Sequence, residues 1–429
     1  MLHPIFQRRL LLSSDGLYVG LDIGTTKVCA VIGERNERGA LEITGVGIAP
    51  STGLRKGVVV NIEATLRAIA QAIEKAEVMS GREVKSCWAG IGGSHVEGIN
   101  SKGVIRVPDP EKPAREIRQE DIGRVLDAAG ALLIPLDRQF LEVIPQSYIV
   151  DYQGGIRNPI DIIAVRLEAL VHIITCSKTG AETLVKCINR AGFLVENFIL
   201  QTLAAGRAVL TQEEKDLGVA LVDLGGGTTE MLVYNDGAPF FTSTIPAGGT
   251  QVTNDISVLK NISYETAERI KIDAGCCWEP LLEEDDDIIV PGIGGRRVLP
   301  IPKSHVMQII KPRMQETFNM LKERMDKLSL SRPLAAGVVL TGGGAELLGV
   351  AELASNVFNM PVRVGESLQV EGLAAEYRSP VYAAALGLVL EGAVREGRGK
   401  VEGEGAAEGR SREKNFTEKM LDWFRKEFF

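Results

Sequence analysis

Residues 17–34 read LYVGLDIGTTKVCAVIGE, and residues 218–234 read GVALVDLGGGTTEMLVY. Each stretch consists of an apolar run, an aspartate, a turn of glycine and threonine, and a second apolar run. This pattern predicts a β-hairpin whose first strand ends at the aspartate. The pattern occurs twice with the same order of residue types, so we interpret the two stretches as corresponding elements of two halves of the chain.

The two turns have the composition of phosphate-binding loops. Glycine lacks a Cβ, so its backbone N–H can approach an anion closely, and threonine hydroxyls add further donors. Asp22 and Asp223 would by themselves repel phosphate. Their position beside phosphate-binding turns is explained if Mg²⁺ lies between the carboxylates and the phosphates, usually through water. Either turn taken alone is also compatible with an ordinary hairpin. The predicted phosphate-binding residues are Gly24, Thr25, Thr26, Gly225, Gly226, Gly227 and Thr228.

A third glycine-rich turn lies within residues 337–358, GVVLTGGGAELLGVAELASNVF. An apolar run predicts a buried strand, which leads through Gly342, Gly343 and Gly344 into a helix. Glycines between a strand and a helix leave the backbone accessible to a ligand. We therefore add these three glycines to the candidate ligand-binding residues.

Composition excludes several classes of protein. The chain has 429 residues, of which 45% are hydrophobic and 24% are charged, as in ordinary globular proteins. Its net charge is −8, and because nucleic-acid binding needs a basic surface, we expect no nucleic acid partner. Its six cysteines form no CxxC pair and lie mostly in apolar runs, which indicates buried reduced thiols in a cytoplasmic protein. Nothing approaches the run of ~18 apolar residues that a membrane-spanning helix needs. We expect a cytoplasmic protein unless something holds it to a surface.

The C-terminus changes composition abruptly. Residues 391–413 contain glycine, glutamate and arginine and almost nothing apolar, so they predict a flexible linker. Residues 414–429, KNFTEKMLDWFRKEFF, predict an amphipathic helix that targets a membrane; a partner-binding helix and a helix docked on the body are the alternatives. The apolar face of this helix would consist of Phe416, Met420, Leu421, Trp423, Phe424 and Phe428.

The hairpins and the TGGG turn resemble the actin/Hsp70/sugar-kinase superfamily, whose five nucleotide-binding segments correspond here to residues 20–29, 200–210, 221–231, 339–346 and 380–390. Within it, VIPQSYIVDYQGGIRNPI (143–160), VHIITC (171–176) and the tail resemble the FtsA family of bacterial cell-division proteins. The resemblance implies an α/β, actin-like two-domain fold with a nucleotide cleft, an inserted small subdomain and a C-terminal amphipathic helix.

The resemblance also divides the chain into segments. We expect a leader, a first core subdomain in two pieces, an inserted α/β subdomain, a second core subdomain in two pieces, a small subdomain of the second half, the linker and the amphipathic helix. Their respective boundaries are 1–16; 17–85 with 167–200; 86–166; 201–245 with 335–390; 246–334; 391–413; and 414–429.

The same resemblance assigns further roles. Lys27 would approach the phosphates, Glu268 and Lys271 would lie on the adenosine side, and Gln201 would lie near the γ-phosphate and the attacking water. Gln201 and Asp223 could position water and metal for ATP hydrolysis that is slow at most.

In such a protein ATP and Mg²⁺ would be the cofactors. The protein would polymerise head to tail and tether the tubulin homologue FtsZ to anionic lipids on the cytoplasmic face of the cell membrane, at the division septum with other divisome proteins. Two alternatives remain: a small-molecule kinase of the superfamily, and an actin-like scaffold of the pilus-assembly or rod-shape kind.

Overall fold

The computed structural model describes residues 16–107, 114–282, 285–290, 299–367, 370 and 372–404. Up to residue 200 its elements are β1 (Leu17–Ile23), β2 (Lys27–Arg35), β3 (Leu41–Pro50), β4 (Leu54–Arg55), β5 (Val58–Val59), α1 (Ile62–Ser80), β6 (Ser86–Ile91), β7 (Glu97–Arg106), β8 (Arg115–Glu116), α2 (Gln119–Gly130), β9 (Arg138–Val150), β10 (Gln153–Ile156), β11 (Ile163–Ala164), β12 (Arg166–Ser177), α3 (Lys178–Arg190) and β13 (Leu194–Leu200). From residue 201 they are α4 (Gln201–Val209), α5 (Gln212–Leu217), β14 (Val219–Leu224), β15 (Thr229–Asn235), β16 (Ala238–Ile245), α6 (Gly249–Lys260), α7 (Tyr264–Ala274), β17 (Asp287–Val290), β18 (Leu299–Pro302), α8 (Lys303–Met325), β19 (Val338–Thr341), α9 (Val350–Phe358), β20 (Val362–Val364) and α10 (Ala383–Glu404).

Both glycine-rich stretches form the predicted hairpins. Strands β1 and β2 pair antiparallel from Leu17↔Glu34 to Ile23↔Val28, and β14 and β15 pair from Val219↔Tyr234 to Leu224↔Thr229. In each hairpin the aspartate is the second-last residue of the first strand. The turn that follows therefore lies at the end of a buried strand in the middle of the sheet.

The two halves share one sheet topology, as the repeated hairpins predict. The first sheet has the order β13-β6-β1-β2-β3, and the second has the order β16-β15-β14-β19-β20. In both, the first of three consecutive antiparallel strands also pairs in parallel with a later strand, and that strand pairs in parallel with one more at the edge of the sheet. The correspondence between the two halves is therefore visible in the topology, although their sequences differ.

The inserted module is a sheet of order β10-β9-β12-β7, against which α2 packs. Two predicted boundaries were wrong. Residues 86–91 form β6 of the first core sheet, and residues 167–177 pair with β9 along their whole length and so belong to the module. Both segments are short apolar runs, whose sequence does not indicate which of two sheets buries them.

Helix α10 corrects the start of the predicted linker. The helix continues through residue 391 to Glu404. Gly392 lets it pack against Trp88, because a Cβ there would lie 2.7 Å from the indole ring. Arg395 pairs with Glu142 of the module at 2.7 Å and with Glu391 at 3.0 Å. These contacts stabilise a segment whose composition alone indicates a linker.

Several predictions fall outside the described residues. These are most of the leader at 1–16, the remainder of the linker and the whole amphipathic segment 414–429, with Phe416, Met420, Leu421, Trp423, Phe424 and Phe428. In the part of the chain that the structure describes, no helix has the length and apolar character needed to cross a bilayer.

Candidate functional site

A cavity of about 340 Å³ lies where the two core sheets face each other. Its volume is within the range of small-molecule sites. The structure brings every residue that we predicted for nucleotide, metal or water together around this cavity. They are Asp22, Gly24, Thr25, Thr26, Lys27, Gln201, Asp223, Gly225, Gly226, Gly227, Thr228, Glu268, Lys271, Gly342, Gly343 and Gly344.

The two hairpin turns touch each other at one end of the cavity. A Cβ at Gly226 would lie 2.5 Å from Thr26 Cγ2, and one at Gly227 would lie 2.5 Å from Thr25 Oγ1. Real side chains do not approach so closely, so only glycine allows this contact. The turns therefore meet at this end of the cavity, and residues 24–26 and 225–228 all line it.

Lys27 is the cation of the first turn. Its Nζ lies 3.5 Å from Asp22 Oδ2 and donates to the carbonyl oxygen of Val381 at 2.6 Å. Burial lowers the pKa of Lys27, but the charges around it, led by the Asp22 carboxylate, raise that pKa above its usual value. A protonated amine is thus held inside the cavity, where an anionic group would meet it.

Gln201 begins the helix that connects the two sheets, and it contacts the first hairpin directly. Its Nε2 donates to Asp22 Oδ1 at 2.7 Å. This bond fixes the amide orientation, so the Gln201 carbonyl oxygen points away from Asp22. That oxygen lies next to Gly92, because a Cβ on Gly92 would be 2.1 Å from it.

Asp223 is the carboxylate of the second hairpin, and its environment disfavours its charge. Burial, followed by the Asp22 carboxylate, raises the pKa of Asp223 to about 6. Gly342 has φ +80°, and a Cβ there would lie 2.1 Å from Asp223 Oδ1. The third glycine turn is therefore packed directly on this aspartate.

Glu230 is a functional candidate that the sequence analysis missed. It lies opposite Asp223 in the hairpin, lines the cavity, and accepts a hydrogen bond from Gly93 N–H at 2.6 Å. Burial, followed by the Asp223 carboxylate, raises the pKa of Glu230 to about 8. The available signal was a glutamate inside the otherwise apolar strand TEMLVY.

Glu268 and Lys271 lie on α7 at the opposite side of the cavity. Lys271 Nζ lies 2.9 and 2.8 Å from the two oxygens of Glu268 and also donates to Thr253 Oγ1 at 3.0 Å. The Thr253 hydroxyl in turn donates to Glu268. This side of the cavity thus offers a fixed, polar but internally neutralised surface, unlike the charged hairpin side.

The donor set fits a hydrated divalent cation bound with a polyphosphate. Burial and the Asp22 carboxylate both disfavour the charge of Asp223, and a cation between the two aspartates would relieve the repulsion. Among the described residues, no three His, Cys, Asp or Glu side chains form a cluster that would bind a metal by themselves. Water and phosphate oxygens would have to supply the remaining ligands, as is usual for Mg²⁺.

The sequence of this chain matches a known family along most of its length, including the inserted module. The family model "Cell division protein FtsA" matches residues 220–387, and the model "SHS2 domain inserted in FTSA" matches residues 93–175. "Cell division protein FtsA" of Borreliella burgdorferi (strain ATCC 35210) is 41% identical over 417 residues, which cover 97% of this chain and 100% of that protein. The chain belongs to the FtsA family.

A second FtsA supports the same assignment. The Escherichia coli (strain K12) protein is 36% identical over 422 residues, covering 96% of this chain and 98% of that protein. The chain is therefore an actin-like cell-division protein, as the resemblance implied. The SHS2 match at 93–175 also agrees with the module boundaries seen in the structure.

Solved structures share the fold at low sequence identity. The PilM–PilN type IV pilus biogenesis complex contains a chain with TM-score 0.62 and 17% identity, covering 88% of this protein and 98% of that chain. MreB5 of Spiroplasma citri bound to AMPPNP has TM-score 0.53 and 14% identity, covering 91% and 100%. Since identity is so low, these neighbours show the actin-like fold and nothing about partners.

Proposed function

We propose that this protein binds Mg-ATP in the cavity and tethers FtsZ to the cytoplasmic face of the cell membrane at the division septum. One observation carries the nucleotide part of the proposal. Three glycine turns, two aspartates and a half-buried lysine converge on one cavity between two sheets of matching topology. The MreB5 neighbour, which has the same fold, was solved with AMPPNP and with ADP.

Each side of the cavity has its own role in the proposal. Lys27 and the turns at residues 24–26 and 225–228 bind the phosphates. The N–H groups of Gly24 and Gly225 instead donate to the carbonyls of Lys27 and Thr228, at 2.9 and 3.0 Å, and hold the turns in shape. Asp22 and Asp223 hold Mg²⁺ through water, and Glu268 and Lys271 contact the adenosine. Bound Mg²⁺ supplies positive charge that neutralises the phosphate oxygens beside these carboxylates.

Hydrolysis would be slow at most. Gln201 would position the attacking water, but its amide is engaged with Asp22 at 2.7 Å. Releasing it requires breaking a hydrogen bond to a charged group, which is stronger than one between neutral groups. We therefore propose ATP mainly as a ligand that closes the cleft and favours head-to-tail self-assembly.

Attachment to the membrane is assigned to the amphipathic segment 414–429. Each large apolar side chain that enters the bilayer interface contributes roughly 1.5–3 kcal/mol, less the cost of ordering the helix. Attraction to anionic lipids adds to this but is small, because the segment carries few net charges. The contact with FtsZ is proposed for residues 246–334, and other divisome proteins would join the same assembly.

Co-sedimentation with liposomes containing anionic lipid tests the tether. Full-length protein and a variant ending at Glu413 are mixed with Mg-ATP, liposomes and FtsZ filaments. We expect full-length protein to pellet with liposomes and to bring FtsZ with it, while the truncated variant leaves both in solution. Equal pelleting of the two proteins would refute the membrane role of the tail.

A further inference from the structure

The inserted module contacts the opposite half of the molecule. It is part of the first half in the chain, between β6 and α3, yet strands β7, β9 and β12 all pack against β16, the edge strand of the second sheet. We call this contact the seam. It consists of Asn100, Gln146 and His172 on the module and Pro239, Phe240 and Thr242 on β16.

Side chains of the module donate to the backbone of β16. Asn100 Nδ2 donates to the Phe240 carbonyl at 3.0 Å, and Gln146 Nε2 donates to the Pro239 carbonyl at 3.0 Å. Gln146 Nε2 also lies 3.3 Å from Asn100 Oδ1. Backbone carbonyls on an edge strand would otherwise be unpaired, so these bonds recognise the edge of the second sheet.

A buried histidine completes the seam. Because a carbonyl only accepts, Phe240 fixes the Asn100 amide with its oxygen towards His172 Nδ1, at 2.7 Å. Nδ1 therefore carries the hydrogen, and Nε2 accepts from the Thr242 hydroxyl at 2.8 Å. His172 is 1% exposed. The seam thus has one defined set of donors and acceptors, in which the bonds to Pro239, Phe240 and Thr242 depend on the relative position of the two halves.

An outer contact joins the same two bodies. Arg157 Nη2 lies 3.0 Å from Asp216 Oδ1 and 3.4 Å from the Asp236 carbonyl. Both groups are exposed, and exposed ion pairs contribute little. The buried bond between His172 and Thr242 therefore contributes more to docking than this outer pair does.

The seam is continuous with the nucleotide cleft. Strand β16 pairs with β15, which carries Glu230 at its start. Gly93, which donates to Glu230 across the cleft, is four residues before β7, the strand that carries Asn100. The cleft contact and the seam are therefore connected on one side by the paired strands β15 and β16 and on the other by the short segment 93–100. Any rotation that separates the halves at Gly93 would also pull the module from β16.

We propose that the inserted module is a clamp on the cleft: its docking on β16 favours the closed cleft, and nucleotide binding in turn strengthens the docking. The second clause rests on the proposed nucleotide site. Thermodynamic linkage then requires docking to strengthen nucleotide binding by the same factor by which nucleotide strengthens docking, because both measure one coupling free energy.

The double variant Asn100→Ala/Gln146→Ala tests the clamp. It removes the donors to β16 and leaves every residue of the nucleotide cavity in place. We expect the Kd for Mg-ATP, measured by calorimetry on the full chain, to rise about tenfold, within the usual range of couplings between sites. The control is Gln153→Ala, an exposed glutamine on β10 at the other edge of the module sheet from β7, and its Kd should match that of the wild type.

Hydrogen exchange separates failure of the clamp from failure of the nucleotide site. In nucleotide-free protein, the double variant should exchange faster at Gly93 and in the two hairpin turns than the wild type and Gln153→Ala do. If the wild type binds Mg-ATP but the variant has the same Kd, the clamp is wrong and the nucleotide site stands. If the wild type binds no nucleotide, exchange decides: unchanged turns overturn the clamp, and faster turns support its first clause.

Discussion

Glu230 Oε1 accepts a hydrogen bond from Gly93 N–H at 2.6 Å and thereby joins the two halves across the cleft. Glu230 is on the second strand of the second hairpin, and Gly93 follows a strand of the first sheet. The bond is buried, so its loss would leave a backbone donor without a partner. Because its two partners lie on opposite sides of the cleft, the bond can form only when the cleft is closed.

Replacing Glu230 separates the hydrogen bond from the charge. Glu230→Gln keeps an acceptor for Gly93, whereas Glu230→Ala removes it and leaves a buried N–H unsatisfied, which costs about 1–3 kcal/mol. We expect Glu230→Ala to bind Mg-ATP about tenfold more weakly, with Glu230→Gln near the wild type. Calorimetric titration at one pH measures both. Identical affinities in all three proteins would show that this bond does not control the cleft.

We expect Asp223→Asn to lose Mg-ATP binding and to gain stability against unfolding. The folded-state pKa of about 6 exceeds the usual value of 3.8, so the folded protein loses stability as pH rises from about 4 to about 6. Asparagine removes that loss. From 1.36 kcal/mol per pKa unit, we expect nucleotide-free Asp223→Asn to be about 3 kcal/mol more stable than wild type at pH 8 and about half that at pH 5.

Urea unfolding at the two pH values measures the gain in Asp223→Asn, and thermal unfolding with Mg-ATP measures the loss of function. Wild type should gain stability from the ligand, and the variant should gain almost none. A variant that is less stable at pH 8 without ligand would contradict the assigned repulsion between Asp22 and Asp223.

The positions of the phosphate turns could be predicted because their chemistry is local. Asp22, Gly24 and Thr25 are consecutive or nearly so, and a hairpin of this composition has few other conformations. Glu268 and Lys271 could be assigned only through the resemblance, since nothing in their own helix indicates a cavity. Glu230 was missed because its partner, Gly93, is distant in sequence and contributes only a backbone N–H.

The module boundaries and the seam depend on tertiary packing, which the sequence does not encode locally. Residues 86–91 and 167–177 are both short buried strands, and their assignment to different sheets follows from pairing alone. His172 lies within an apolar run, and nothing in the residues around it indicates its contact with Thr242. The linker was predicted from composition, but Gly392 and Arg395 have partners that composition does not reveal.

Gly387 tests the packing of the two helices that flank the cavity. A Cβ there would lie 1.7 Å from the Ala204 carbonyl oxygen on α4, so Gly387→Ala must push the helices apart. We expect a loss of about 1–3 kcal/mol or more in the free energy of unfolding. This is opposite in sign to the usual gain from alanine inside a helix.

The control for Gly387 is Gly154→Ala. A Cβ at Gly154 would meet nothing closer than Ile149 Cγ1 at 3.9 Å. Its effect should stay within about 0.5 kcal/mol, as for other surface substitutions. Urea unfolding of both variants is the measurement, and equal stabilities would mean that α10 does not pack on α4 as closely as described.

His172 should make folding sensitive to acid. Burial lowers its pKa from 6.5 to about 4, so the unfolded chain binds the proton more readily between these values. Stability should therefore fall as pH drops from about 6.5 to about 4, by about 3 kcal/mol at most, and should be unaffected by this group above pH 7. Comparing the pH dependence of unfolding in wild type and His172→Gln isolates the effect. Parallel curves for the two proteins would contradict it.

Calorimetric titration of the full chain with Mg-ATP, alongside Asp223→Ala, tests the central claim most directly. We predict that the wild type binds one nucleotide per chain and that Asp223→Ala, checked by circular dichroism for a retained fold, loses this binding. A folded Asp223→Ala protein with the affinity of the wild type would contradict the assignment of the cavity as the nucleotide site.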